Sequence, residues 1–241
     1  MGSVRRVSAS LALAVVLAVP AFAGDRALLD IVGYSEDGRF FVFEEFGIQD
    51  GSGFAYSNLF AVDLVEDSWV VGTPLRVRAS EEATSLAELR EKALAEATAV
   101  LAELDISVPA DVIALVGDGE PDRDGKNLRF GLPGYEAGTV RGSHELRLET
   151  FPAAAASPCL DWFGFDPRGY ALSLTTGEDE RQLHRDDMLP RSRGCPQDYR
   201  IHAVAVPFNS AEGEGAVAIL SVYPYGFEGP DRRFLAVPLG L

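Results

Sequence analysis

The stretch GYSEDGRFFVF, residues 33–43, decides the fold class of this chain. An apolar segment ends at Tyr34, a Ser-Glu-Asp-Gly run follows, and a second apolar segment begins at Phe40. Gly, Asp and Ser favour tight turns, whereas aromatic and β-branched residues favour half-buried strands. The stretch therefore predicts a β-hairpin of the kind found in the blades of secreted β-propellers.

Two further segments follow a similar plan. Residues 164–172 read GFDPRGYAL, and residues 226–237 read GFEGPDRRFLAV. The three copies are unequally spaced, and both intervals exceed the roughly 40–45 residues of a propeller blade. We therefore expect propeller-like hairpins without the regular repeat of a propeller.

One segment between these copies has the period of a helix. Apolar residues recur every three or four positions near residues 84–104, and Ser85 with Glu88 fits a capping box. We expect Leu94 and Leu101 to lie on its buried stripe. The prediction is a mainly β (α+β) fold with antiparallel sheets of propeller-like hairpins and this one long amphipathic helix, which covers the sheet of residues 28–78.

The remaining elements follow from alternation and turn residues. We interpret residues 153–158 as a linker and residues 181–197 as a long, ordered polar loop. Adjacent Glu44 and Glu45 should point to opposite faces of their strand. Further strands are predicted at residues 57–65, 69–78, 128–130, 145–151, 200–206, 216–223 and 233–237.

The N-terminus has the features of a secretory signal peptide. Arg5 and Arg6 precede the apolar run Leu11–Val19, and Ala21-Phe22-Ala23 fits a cleavage site. We expect cleavage after Ala23, which leaves residues 24–241 as a single β-rich secreted domain. The sequence has no second long apolar run, so we expect no membrane span after cleavage. The expected location is the periplasm or the exterior of a bacterium.

Charge and cysteine content restrict the partners further. The net charge of −16 disfavours nucleic acid and anionic membrane surfaces. An oxidising compartment favours a disulfide between Cys159 and Cys195, the two cysteines present. Free thiols and a metal site remain alternatives, although no C-x-x-C or H-x-x-H frames the nearest histidine, His184.

Three runs carry a family resemblance: FEEFGIQDGSGFAYS (43–57), LPRSRGCP (189–196) and YGFEGPDRRFLAV (225–237). They resemble a bacterial family of predicted secreted proteins, catalogued as domain of unknown function 2259. The resemblance covers essentially the whole chain after the signal peptide. It implies an extracytoplasmic protein and implies no catalytic residue.

Few residues suggest a specific chemistry. Glu120, Asp122 and Asp124 imitate the start of a calcium loop, but Gly131 stands where the bidentate Glu belongs, so we interpret them as a solvated loop and no metal site. His184 with nearby Asp186 could act as a general base, although no G-x-S-x-G motif supplies a nucleophile. Candidate anion-binding or partner-binding residues in this acidic chain are Arg191, Arg193, Arg232 and Arg233.

The sequence favours a non-enzymatic binding or interaction module, with no cofactor and with an unknown periplasmic protein or small ligand as its partner. One alternative is a hydrolase that uses His184 and nearby carboxylates. Another alternative is a structural protein of the cell envelope.

Overall fold

The computed structural model describes residues 24–81, 83–117 and 124–241. The expected signal peptide, including the cleavage site after Ala23, lies outside the described residues. Glu120 and Asp122 of the acidic loop also lie outside them.

The first sheet is built from strands that lie between residues 28 and 108. Its strands follow the order β4-β3-β2-β1-β6. The strand β5 pairs with the first half of β3, at Tyr56–Leu59, whereas β4 pairs with its end. Their bounds are β1 Leu28–Ser35, β2 Phe40–Ile48, β3 Ala55–Asp63, β4 Ser68–Trp69, β5 Leu75–Arg78 and β6 Ile106–Val108.

The hairpin at residues 33–43 is confirmed. Tyr34 pairs with Phe41, and the Gly38 amide closes the turn on the Ser35 carbonyl at 3.0 Å. Asp37 accepts a hydrogen bond from the Ser35 hydroxyl at 2.6 Å, which fixes the turn on the strand that precedes it. The prediction of one strand at residues 69–78 is wrong. The segment contains the end of β4 and all of β5, and the chain turns between Trp69 and Leu75, where the Thr73–Pro74 bond is cis.

The helix α1 spans Leu86–Glu103, with the capping box of Ser85 and Glu88 formed as expected. It packs on the outer face of the first sheet through Leu89, Ala93 and Ala97. The expectation for Leu94 is wrong: its side chain is 37% exposed, because small alanines bring the helix close to the sheet along a narrower stripe.

Two further sheets follow α1. In the middle sheet the order is β16-β15-β14-β7, and in the outer sheet it is β12-β11-β9-β8. Their strands are β7 Ala110–Leu115, β8 Asn127–Pro133, β9 Val140–Pro152, β11 Arg168–Thr176, β12 Asp179–Arg185, β14 Pro196–Pro207, β15 Val217–Pro224 and β16 Arg233–Pro238. The short elements are β10 Ala154–Ala155, α2 Cys159–Phe163, β13 Met188–Leu189 and a 3₁₀ turn at Arg191–Arg193.

The three sheets stack face to face, with the middle sheet buried on both sides. Ile219 and Phe234 pack against the first sheet, in one core with Phe43. Leu220 on the opposite face joins the outer sheet, in a second core with Leu172. Alternation along the strands thus builds two cores from one sheet. The predicted fold class is confirmed: mainly β, antiparallel sheets and one main helix.

Three expectations about the second half of the chain are corrected. The segment 164–172 is no hairpin, because Gly164 ends helix α2 in a left-handed conformation before β11 begins. The segment 181–197 is only partly a loop, because β12 continues to Arg185 as an edge strand. The linker 153–158 contains β10, which pairs in parallel with β13. The strand β7, Ala110–Leu115, was not predicted.

Within the described residues, no helix combines the length and the apolar character needed to cross a membrane.

Candidate functional site

A cavity lies where one edge strand from each of the three sheets meets the others. It is lined by Trp69 of β4, His184 of β12 and residues 233–237 of β16, and its volume is about 500 Å³. A side pocket of about 400 Å³ shares Asn58, Arg76 and Arg233 with it. We call the larger cavity the cleft; its size is that of a site for a small ligand.

The base of the cleft contains a buried ionic cluster around Arg233. Its Nη2 lies 2.7 Å from Asp25 Oδ2 and 3.3 Å from Asp231 Oδ2, and its Nε lies 3.7 Å from Glu45 Oε1. Tyr56 donates a hydrogen bond to Asp25 Oδ1 at 2.9 Å. Because three carboxylates surround one guanidinium, this cluster already compensates the charge of Arg233.

Glu45 reaches this cluster from the inner face of β2. Its Oε2 accepts a hydrogen bond from the Phe234 amide at 3.0 Å, and its Oε1 accepts one from Asn58 Nδ2 at 3.2 Å. Burial raises the pKa of Glu45, and Arg233 opposes that shift. Glu44 lies on the opposite face and binds Arg90 at 2.6 Å, as the strand period predicted.

On the opposite side of the cleft, a second cluster of charged residues is centred on Asp186. Asp186 accepts hydrogen bonds from the Tyr170 amide at 2.9 Å and from Arg193 Nη1 at 3.4 Å, and another joins its Oδ1 to His184 Nε2 at 3.0 Å. Burial alone would raise the pKa of Asp186, but these partners outweigh it and lower the pKa. Arg193 also donates to the Tyr199 hydroxyl at 3.3 Å, so its guanidinium is fixed.

A disulfide anchors the segment that carries Arg191 and Arg193. Cys159 of α2 is bonded to Cys195, with a Cα–Cα distance of 5.6 Å. The pairing predicted from the sequence is present in the structure. It ties the 3₁₀ turn to α2 and places Arg191 at the rim of the cleft.

One side of the cleft is aromatic. The Trp69 ring meets Phe60 edge to face at 5.4 Å, and Phe60 stacks on Phe43 at 4.9 Å. Trp69 remains 38% exposed, so part of its ring faces the cleft. Such a surface can receive the apolar part of a ligand.

The side chains of Arg76 and Arg191 bring uncompensated positive charge to the cleft. Both line it, and neither guanidinium has a hydrogen-bond or ion-pair partner among the described residues. Arg78 lies on the same face of β5 as Arg76, lines the side pocket, and likewise has no such partner in the described part of the chain. In a chain with 37 acidic and 21 basic residues, cations without acidic partners indicate a place that can accept an anion.

The structure separates the four arginines predicted from the sequence. Arg191, Arg193 and Arg233 all line the cleft, although they lie far apart in the chain. Arg232 does not line it: its Nε and Nη2 donate to the Ala27 carbonyl at 2.9 and 2.7 Å. Arg76 was not identified from the sequence; the alternating LRVR of β5 was its only signal.

The remaining sequence candidates do not assemble a recognisable centre. No group of three metal-ligating side chains occurs among the described residues. Asp124, the described member of the acidic loop, accepts a hydrogen bond from the Lys126 amide at 2.8 Å. Ser68 and Ser192 line the cleft with His184, but no hydrogen bond joins either to His184 in the described structure.

The comparisons with known proteins agree with the resemblance seen in the sequence. The model of the family described as predicted secreted protein (DUF2259) matches residues 42–239. The chain therefore belongs to this family of predicted secreted proteins. No curated protein and no solved structure matches the chain.

Proposed function

We propose that this protein is a periplasmic binding module, a single domain of residues 24–241, which holds a small organic anion in the cleft. Arg76 and Arg191 carry the proposal, because they bring partnerless positive charge to a concave, partly aromatic cavity. The anionic group of the ligand lies between these guanidiniums, and its apolar part packs on Trp69. Charge-assisted hydrogen bonds supply the selectivity for an anion.

The surrounding groups support this arrangement by fixing the walls. Arg233 and Arg193 are ion-paired with carboxylates, so they hold the strands in place and supply no excess positive charge. Arg76 and Arg191 lie at the surface of the cleft and can reach a ligand without breaking an existing ion pair. The cleft is thus preorganised around two adjustable cations.

Calorimetric titration tests the proposal. The probes are benzoate and phenyl phosphate, with benzyl alcohol as the neutral analogue. We expect both anions to bind, the alcohol to bind more weakly, and the Arg76→Ala/Arg191→Ala double variant to raise the Kd at least about tenfold. The control is Arg147→Ala, which removes an exposed arginine outside the cleft. Equal loss of affinity in the control, or equal binding of the alcohol, contradicts the proposal.

The proposed location has a separate test. Mass spectrometry of the exported protein should find an N-terminus at Gly24. Periplasmic protein that retains Met1 would contradict cleavage after Ala23.

A further inference from the structure

The floor of the cleft is the open edge of a β-strand. β16 pairs with β15 on one side, and its residues from Arg233 to Val237 all line the cleft. Among the described residues, the only backbone pairing on the other side of β16 is a single parallel bridge between Arg26 and Arg232, just before the strand begins. Exposed strand edges are normally covered or blunted, because they can pair with another chain.

The hydrogen bonds show which backbone groups point into the cleft. The Arg232 amide donates to the Asp25 carbonyl at 2.8 Å, and the Phe234 amide donates to Glu45, so both point away from β15. The Leu239 amide instead donates toward β15, to the Ala216 carbonyl at 2.8 Å. Because alternate residues of a strand point the same way, the amide and carbonyl of Ala236 face the cleft.

The contact between Glu45 and β16 indicates where the backbone of an added strand would bind. Its carboxylate oxygen accepts the Phe234 amide hydrogen, which is the role that a carbonyl of a neighbouring strand would have. Beyond it, no described residue pairs on this side with the Phe234 carbonyl or with the amide and carbonyl of Ala236. Pro238 has no amide hydrogen, so the available stretch ends there. The edge therefore offers about three hydrogen bonds to a short extended chain.

We propose that the ligand of the cleft is a short acidic peptide, which pairs with β16 at Phe234 and Ala236 and places its carboxylates against Arg76 and Arg191. This rests on the proposed function and adds the class of ligand to it. The backbone bonds supply affinity, and the two cations select acidic residues or a C-terminal carboxylate.

The test uses the peptide acetyl-Val-Asp-Val-Asp with a free C-terminus, measured by calorimetry. The Ala236→Pro variant loses the amide hydrogen that faces the cleft and keeps every hydrogen bond to β15. The Ala236→Ser variant keeps this amide hydrogen and serves as the control. We expect the proline variant to weaken peptide binding about threefold to tenfold and the serine variant to leave it unchanged. On the unaltered protein, the same peptide with N-methylated valines should bind more weakly by a similar factor. This second measurement tests the pairing with β16 even if the proline variant does not fold.

The outcomes separate the two proposals. If benzoate binds through Arg76 and Arg191 but the peptide binds no more tightly than its N-methylated form, pairing with β16 is wrong and anion binding stands. If neither benzoate nor the peptide binds, both proposals fail. Equal binding of acetyl-Val-Lys-Val-Lys would contradict the selectivity for acidic residues.

Discussion

Arg233 Nη2 and Asp25 Oδ2 lie 2.7 Å apart, although 208 positions separate the two residues in sequence. The contact joins the start of the described chain to β16 and to the base of the cleft. Removal of the arginine would leave Asp25 and Glu45 buried without their cation. This pair therefore connects the stability of the fold to the shape of the site.

Arg233→Met should destabilise the protein strongly. Buried carboxylates that lose their cation destabilise the fold by about 3–5 kcal/mol. Urea denaturation at pH 7 measures this change in the free energy of unfolding. Arg147→Met is the matched control, because Arg147 is an exposed arginine whose loss should change the free energy of unfolding by less than about 0.5 kcal/mol. Similar stability of the two variants would show that the cluster around Arg233 contributes little.

The fold class and the helix could be predicted from the sequence because they depend on local patterns. Turn residues and alternation predicted β1 and β2, and the capping box predicted the start of α1. The cleft could not be predicted, because it forms only when three sheets stack. Nothing in the local sequence distinguishes Arg76, which lines the cleft, from Arg147, which does not.

The width of the helix stripe can be tested with two leucines of α1. Leu89 is 2% exposed and Leu94 is 37% exposed. Leu89→Asp should cost several kcal/mol, since it buries a charge and leaves a cavity, whereas Leu94→Asp should cost less than about 1 kcal/mol. Thermal melts of the two variants provide the comparison. Equal losses would mean that α1 packs with a different face toward the sheet.

The disulfide should order the segment that carries Arg191. In the Cys159→Ser/Cys195→Ser variant, loss of a link between residues 36 positions apart lowers stability by about 3–4 kcal/mol, less any native strain. Hydrogen exchange should increase first at residues 187–195, whereas β12 remains protected by its pairing with β11. Unchanged protection of residues 187–195 would show that packing alone orders this segment.

The pKa of Asp186 predicts a pH dependence. Burial raises this pKa, but His184, the Tyr170 amide and Arg193 lower it more, so the folded protein holds the proton less tightly than the unfolded chain. The resulting stabilisation is present above the unfolded value of about 3.9 and is lost as pH falls through the lower folded value. Asp186→Asn should therefore be less stable than the unaltered protein at pH 7, by about 1–3 kcal/mol, and the difference should shrink by pH 3. A difference that is constant with pH, measured by urea denaturation, would contradict this assignment.

Fluorescence of Trp69 tests the central claim, anion binding in the cleft, most directly. The chain has two tryptophans, and Trp162 does not line the cleft, so a Trp162→Phe background isolates Trp69. We predict that 4-nitrobenzoate quenches this signal to saturation, that the neutral analogue 4-nitrobenzyl alcohol quenches it less, and that Arg76→Ala/Arg191→Ala abolishes the difference between the two. Quenching that does not saturate, or that is equal for the anion and the alcohol in the protein with both arginines, would contradict an anion site in this cleft.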